Sequence, residues 1–151
     1  MLTRHICSLA AALLLCAMLP LSAVEPEEPD APRASTLVVK QELQTVINGQ
    51  LAAFRADDYA TAYTFAAAGI RDQFPVARFE EMVRNAYPPI ARSDSARFGI
   101  AFDNGVQAVV NVSVRGKDAE TSTEYQYTLA KEDEGWKITG VTEIEPTTVE
   151  A

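Results

Sequence analysis

The chain has 151 residues, and its 21 acidic against 13 basic side chains give a formal net charge of −8, a balance that repels phosphate backbones and anionic lipid and so argues against nucleic acid or a membrane surface as partner. Both cysteines, Cys7 and Cys16, and the one histidine, His5, stand close to the N-terminus. A chain that sheds that stretch loses thiolate, imidazole and disulfide chemistry, and with them serine–histidine relays and the usual zinc ligand sets.

The first element is a targeting segment. Met1 to His5 is short and basic, Ile6 to Leu19 is apolar apart from Ser8, and Pro20-Leu21-Ser22-Ala23 precedes an acidic stretch. That order is the one a secretory signal requires. The apolar run is shorter than the roughly 20 residues of a membrane span. A lipoprotein signal would set a small residue before its cysteine, whereas Ile6 precedes Cys7 and Leu15 precedes Cys16. Residues 1–23 are therefore expected to be a cleaved signal peptide, and the protein to be exported, periplasmic or secreted. An uncleaved anchor and a lipoprotein are the competing readings. Residues 24–34 carry Glu25, Glu27, Glu28 and Asp30 among Pro26, Pro29 and Pro32, a composition that predicts a disordered acidic Pro-rich linker. Residues 35–145 leave room for one modest core, and 146–151 read as a disordered tail.

Helical periodicity begins after Ser35, with Val39, Leu43, Val46, Ile47, Leu51 and Phe54 at three- and four-residue intervals and Ser35 or Thr36 as cap. Gly49 inside this helix costs about 1 kcal/mol against alanine, so another element is expected to pass close there. Asp57-Asp58 then caps a second helix from Tyr59 to Ala68, with Gly69 placed to end it. Pro75 opens a third, whose inward face is Val76, Phe79, Met82 and Val83, and Tyr87-Pro88-Pro89 stops it.

Strands fill the rest. Phe98, Ile100 and Phe102 alternate with Arg97, Gly99 and Ala101, and Asn104-Gly105 is a two-residue hairpin signal. Ala108, Val110, Val112 and Val114 share one face of the next strand, and Thr123, Tyr125, Tyr127 and Leu129 one face of the third. Trp136 and Ile138 begin a fourth. The pattern predicts an α+β fold, three N-terminal helices packed on a curved four-stranded antiparallel sheet.

That order, ending in Gly135-Trp136-Lys137-Ile138, resembles the nuclear transport factor 2-like superfamily, whose members are cone-shaped. More narrowly, the stretch from Gln50-Leu51-Ala52-Ala53-Phe54 through Asp57-Asp58-Tyr59 to Tyr63, and the later Phe79-Glu80-Glu81-Met82-Val83 to Pro88-Pro89, resemble the DUF4864 family. The similarity runs from about Val38 to Ile144. A Ser-Pro pair often follows the second helix in that family, where Ala67-Ala68 stands here. The resemblance implies a cone-shaped fold and carries no reaction with it.

Asp57-Asp58 suits capping better than paired acid and base, because adjacent side chains diverge. Tyr59, Tyr63, Tyr87 and Tyr125, with Arg71 as an anion ligand, are the candidates for lining the open end of the cone. Tyr127 could line it too and Arg84 could reach it; a role in the core competes for every tyrosine, and surface pairing with Asp72 and Glu80 competes for the two arginines. Trp136 reads as a core anchor, and the Asn111-Val112-Ser113 sequon lies inside a strand. No catalytic residue, metal ligand set or cofactor motif emerges. The expected function is a non-catalytic ligand-binding or assembly module for a small apolar ligand. The alternatives are an isomerase- or dehydratase-like enzyme using an acidic residue and tyrosines in the cone, and a structural homodimer. For the homodimer the outer sheet face is the candidate surface: Gln107, Val109, Asn111, Ser113, Gln126, Thr128, Ala130, Thr139 and Val141 make an uncharged centre, with Arg115, Glu124, Lys137 and Glu143 toward the strand ends.

Overall fold

The computed structural model describes residues 28–145; the expected signal peptide and tail lie outside the described residues. In chain order the elements are β1 (Arg33–Ala34), α1 (Leu37–Arg55), α2 (Tyr59–Thr64), α3 (Ala68–Gln73), α4 (Val76–Ala86), α5 (Pro88–Ala91), β2 (Ser93–Asp103), β3 (Gln107–Gly116), β4 (Ser122–Glu132) and β5 (Gly135–Glu143). The fold is α+β, with five helices and a five-stranded antiparallel sheet of order β1-β2-β3-β4-β5, against the three and four expected.

The first helix forms as its periodicity predicts. Thr36 Oγ1 accepts the Val39 N–H at 3.3 Å, and Leu43, Ile47, Leu51 and Phe54 are buried. It ends where Asp57 takes a left-handed conformation (φ 55°) and Asp58 N–H donates to Ala53 O at 2.9 Å, a stop usually given to glycine. Asp58 then caps α2 through the Thr61 N–H at 3.0 Å. Hydrogen bonds from Thr61, its side chain first and its backbone second, hold the Asp58 carboxyl below the usual carboxylate range.

The second helix is shorter than its pattern. It stops at Thr64 because the backbone of Phe65–Ala67 leaves the helix to pair with β5: Ile138 N–H donates to Phe65 O at 2.9 Å and Ala67 N–H to Ile138 O at 2.8 Å. Gly69 therefore ends nothing; it lies in the first turn of α3. Pro75 occupies the N-cap of α4 rather than its first turn. Tyr87-Pro88-Pro89 does end α4, and the prolines then start the single turn of α5.

The register shifts at three places, once at Asp94 between Ser93 and Ser95 and at two bulges that re-aim the sheet. In β2, Phe98 pairs with Val112 and Ala101 with Val110, so Gly99 and Ile100 together oppose Asn111. The extra residue reverses the alternation. Phe98 faces the helices, while Ile100 and Phe102 fall on the other side, which corrects the single face expected for Phe98, Ile100 and Phe102. In β5, Leu129 pairs with Ile138 but Thr128 with Gly140, leaving Thr139 extra. Val141 and Glu143 then share the inner side with their partners Tyr127 and Tyr125, not the outer face assigned to them. The fifth strand, β1, lies in the segment read as linker. Arg33 and Ala34 pair with Asp103 and Phe102, and Ser35 N–H donates to Ala101 O at 3.0 Å. Two residues are too few to show a period.

The helices cover the inner face, where Val110, Val112, Tyr125, Tyr127, Trp136 and Ile138 are all buried. Trp136 also donates its indole N–H to Glu42 at 3.0 Å, tying β5 to α1. The element that passes Gly49 is the Phe65 ring: a Cβ there would stand 2.6 Å from its Cζ, whereas one on Gly69 meets nothing within 4 Å. Gly49→Ala is accordingly expected to lose about 1 kcal/mol net, overpacking outweighing helix propensity. Gly69→Ala should gain up to about 1 kcal/mol. Urea denaturation of both variants checks this, and an equal gain at the two sites would contradict the close approach.

Candidate functional site

A cavity of about 310 Å³ opens between α1, α4, the α3–α4 connection and β5, within the size range of small-molecule sites. Helix α1 contributes Gln50 and Phe54 to its wall, and α4 adds Phe79, Met82 and Val83. Ile70, Gln73 and Phe74 come from α3 and the link beyond it, and Tyr87 and Ile90 from the start of α5. The remaining side is β5, from Ile138 through the bulge to Val141. The bulge matters here, because without the extra Thr139 the Val141 side chain would face outward.

The wall is mostly apolar with a few neutral polar groups. Gln50 is buried, and its amide nitrogen donates to Ala62 O at 3.2 Å, which leaves the amide oxygen as the group available to a ligand. The Tyr87 hydroxyl donates to Val141 O at 3.0 Å and keeps its lone pairs. Gln73 and Thr139 complete the polar set. No aspartate, glutamate, lysine, arginine or histidine is among the lining residues. Among the described residues, no group of three or more His, Cys, Asp or Glu is placed to hold a metal ion, and no helix is long and apolar enough to cross a membrane.

Of the five candidates from sequence, Tyr87 alone lines this cavity. Tyr63 acts one step away: its hydroxyl lies 2.8 Å from Arg71 O and 2.6 Å from Phe74 O, holding the link that forms the cavity mouth. Arg71 enters that arrangement through its carbonyl, not its guanidinium. Tyr59 is buried between the Phe54 ring, 5.3 Å away, and the Arg84 guanidinium, 4.6 Å above its own ring. Tyr125 is buried beside Tyr87, with ring centroids 6.3 Å apart. Gln50 and Phe74 were not among the candidates, and Met82 was expected only on the inward face of its helix. Gln50 left one trace, a polar side chain three residues after Ile47 on the apolar stripe of α1.

Burial first, and the Glu143 carboxylate second, push the Tyr125 phenol up to about 12. Burial raises Tyr127 further still. An unfolded tyrosine titrates near 10, so folding favours the neutral phenol. The stability tied to Tyr125 is complete below about pH 10 and is lost as pH rises towards about 12. Denaturation midpoints followed across that window should fall less steeply for Tyr125→Phe than for the parent. Parallel curves would contradict the assignment.

A protein-family model described as "Domain of unknown function (DUF4864)" matches residues 37–151. Among curated proteins none matches the chain. Among solved structures, the solution structure of a SEC-C motif containing protein from Rhodopseudomonas palustris is similar, with a TM-score of 0.51 at 16% identity. The match covers 66% of this chain and 77% of that one, and at that identity it is a likeness of fold.

Proposed function

We propose that this chain, which belongs to the DUF4864 family, is a non-catalytic binding module that takes up a small, uncharged, largely apolar ligand. The observation that carries this reading is a roughly 310 Å³ cavity whose lining residues include phenylalanines, methionine and isoleucine and no charged side chain. Apolar contact would supply the affinity, at about 25 cal/mol per Å² of apolar surface buried. Gln50, Gln73, Thr139 and the Tyr87 hydroxyl would set the orientation, since a few placed polar groups decide specificity in such sites. A charged ligand would find no counter-ion at the wall and would bear its desolvation cost unpaired.

The same layering, helices over one face of a bent meander, supports the cone of the nuclear transport factor 2-like superfamily as the finer description of the fold. In that arrangement the cavity is the open end of the cone. An isomerase- or dehydratase-like role would require a base at the wall. Glu143 is the acid nearest in register to the inner tyrosines, opposite Tyr125, but it is exposed and does not line the cavity.

A neutral fluorescent probe, N-phenyl-1-naphthylamine, should brighten on binding the protein. Ile70→Trp, which fills the cavity from its half-buried rim, should weaken that binding by about tenfold or more, the change expected when a pocket no longer accommodates its ligand. The melting temperature should stay near that of the parent. Unchanged probe binding in the folded variant would move the site elsewhere, and absence of binding by the parent would remove the reading.

A further inference from the structure

The polar side chains around the cavity have most of their protons already committed to the protein. Ala62 O can only accept, so the Gln50 side chain, 4% exposed, turns its amide nitrogen toward it at 3.2 Å. The amide oxygen is then at the opposite end, toward the cavity that Gln50 lines, and among the described residues it receives no hydrogen bond. Tyr87 gives its hydroxyl proton to Val141 O at 3.0 Å. Thr139 is committed through a relay. Gly140 O can only accept, so Thr128 donates to it at 3.3 Å, and Thr139 in turn donates to Thr128 at 3.0 Å. Gln73 is exposed, where water meets both ends of its amide. Against acceptor oxygens on Gln50, Tyr87 and Thr139, the other lining polar side chains keep one uncommitted proton, the second N–H of Gln50.

We propose, resting on the binding role above, that the ligand is an alcohol or phenol on an otherwise apolar frame, and that the Gln50 amide oxygen receives its hydroxyl proton. A hydroxyl donates one hydrogen bond and keeps lone pairs, so it also suits the uncommitted N–H of Gln50. An ether, ester or ketone of the same shape offers acceptors only. It sets lone pairs against the oxygens of the wall and leaves the Gln50 oxygen unpartnered in an apolar enclosure. There an unmade hydrogen bond costs more than a made one contributes. An ammonium group would donate as well, but no acidic side chain lines the cavity to balance its charge. The acceptor is set before a ligand arrives. Gln50 stands beside the fully buried Leu51 and one turn after the fully buried Ile47 on α1, and its amide is anchored to a carbonyl of α2. A group held in place by two elements loses little freedom on binding, which favours selectivity for the partner it fits.

Displacement of N-phenyl-1-naphthylamine from the full chain by 4-propylphenol and by 4-propylanisole tests the proposal. The two compounds differ by the methyl group that replaces the hydroxyl proton. Apolar contact alone would favour the anisole, which buries more apolar surface. The phenol should instead bind about tenfold more tightly, the worth of one well-made neutral hydrogen bond. Gln50→Met keeps an unbranched side chain of similar length in the wall, and Ala62 O stays bonded to the Phe65 N–H at 3.2 Å. The variant should therefore melt near the parent, lose or reverse the preference for the phenol, and bind the anisole much as the parent does. Equal binding of the two compounds by the parent, or a preference for the anisole, would overturn the proposal and leave the apolar cavity standing. So would displacement by neither compound from a chain that binds the probe, or a phenol preference that persists in Gln50→Met. The parent's ranking involves no substitution, so it decides even where the variant fails to fold. A parent that does not bind the probe loses the binding role and this proposal together.

Discussion

The arrangement depends on one short backbone contact, the pairing of Phe65–Ala67 with Ile138. β5 would otherwise be a bare edge, with its outward amides and carbonyls unpaired. Instead Ile138 donates to Phe65 and accepts from Ala67, and the chain between α2 and α3 becomes a fragment of a further strand. Neighbouring groups secure the junction. Glu132 accepts the Ala68 N–H at 2.9 Å at the start of α3, and the Lys137 ammonium reaches Thr64 O at 2.8 Å at the end of α2. The contact also fixes Phe65, whose ring fills the space that Gly49 leaves on α1. One pairing thereby ties the first helix, the helical break and the sheet edge together.

The cavity is a consequence of that tie. Because the chain is held at Ile138, α3 and its link to α4 run beside β5 instead of continuing α2. Tyr63 then holds the link by its carbonyls, and Tyr87 holds Val141 O from the other side. The bulge at Thr139 turns Val141 into the enclosed space. What results is a wall of side chains with little capacity to transfer protons, so recognition by shape and apolar contact is the chemistry it offers. The β2 bulge, on the far side of the sheet, acts in the opposite sense by turning apolar residues outward.

Much of this was legible in the residues. The α1 stripe, the Asp57-Asp58 capping, the Asn104-Gly105 hairpin and the alternation that buries Val110, Val112, Tyr125 and Tyr127 are local signals, and local signals survive folding. Gly49 announced a close approach without saying what approached. The bulges were not legible, because one extra residue reverses the face of everything beyond it and leaves no mark in composition. Val141, Glu143 and Phe102 were misplaced for that reason. The early end of α2 was hidden likewise, since Phe65-Ala66-Ala67 fits a helix as well as it fits an edge, and a partner more than 60 residues away decides between them. The tyrosines illustrate a third limit. Tyr59, Tyr63, Tyr87 and Tyr125 are chemically alike, and whether each lines a wall, tethers a loop or fills the core depends on tertiary position alone.

The contact at Ile138 can be tested directly by native-state hydrogen exchange. If β5 is captured by Phe65–Ala67, the amides of Ile138 and Ala67 should exchange as slowly as central sheet amides such as Val112, opening only in global unfolding. Exchange of both at the rate of freely exposed amides, while Val112 stays protected, would contradict the account, since the edge would then be open and the break after Thr64 without a cause.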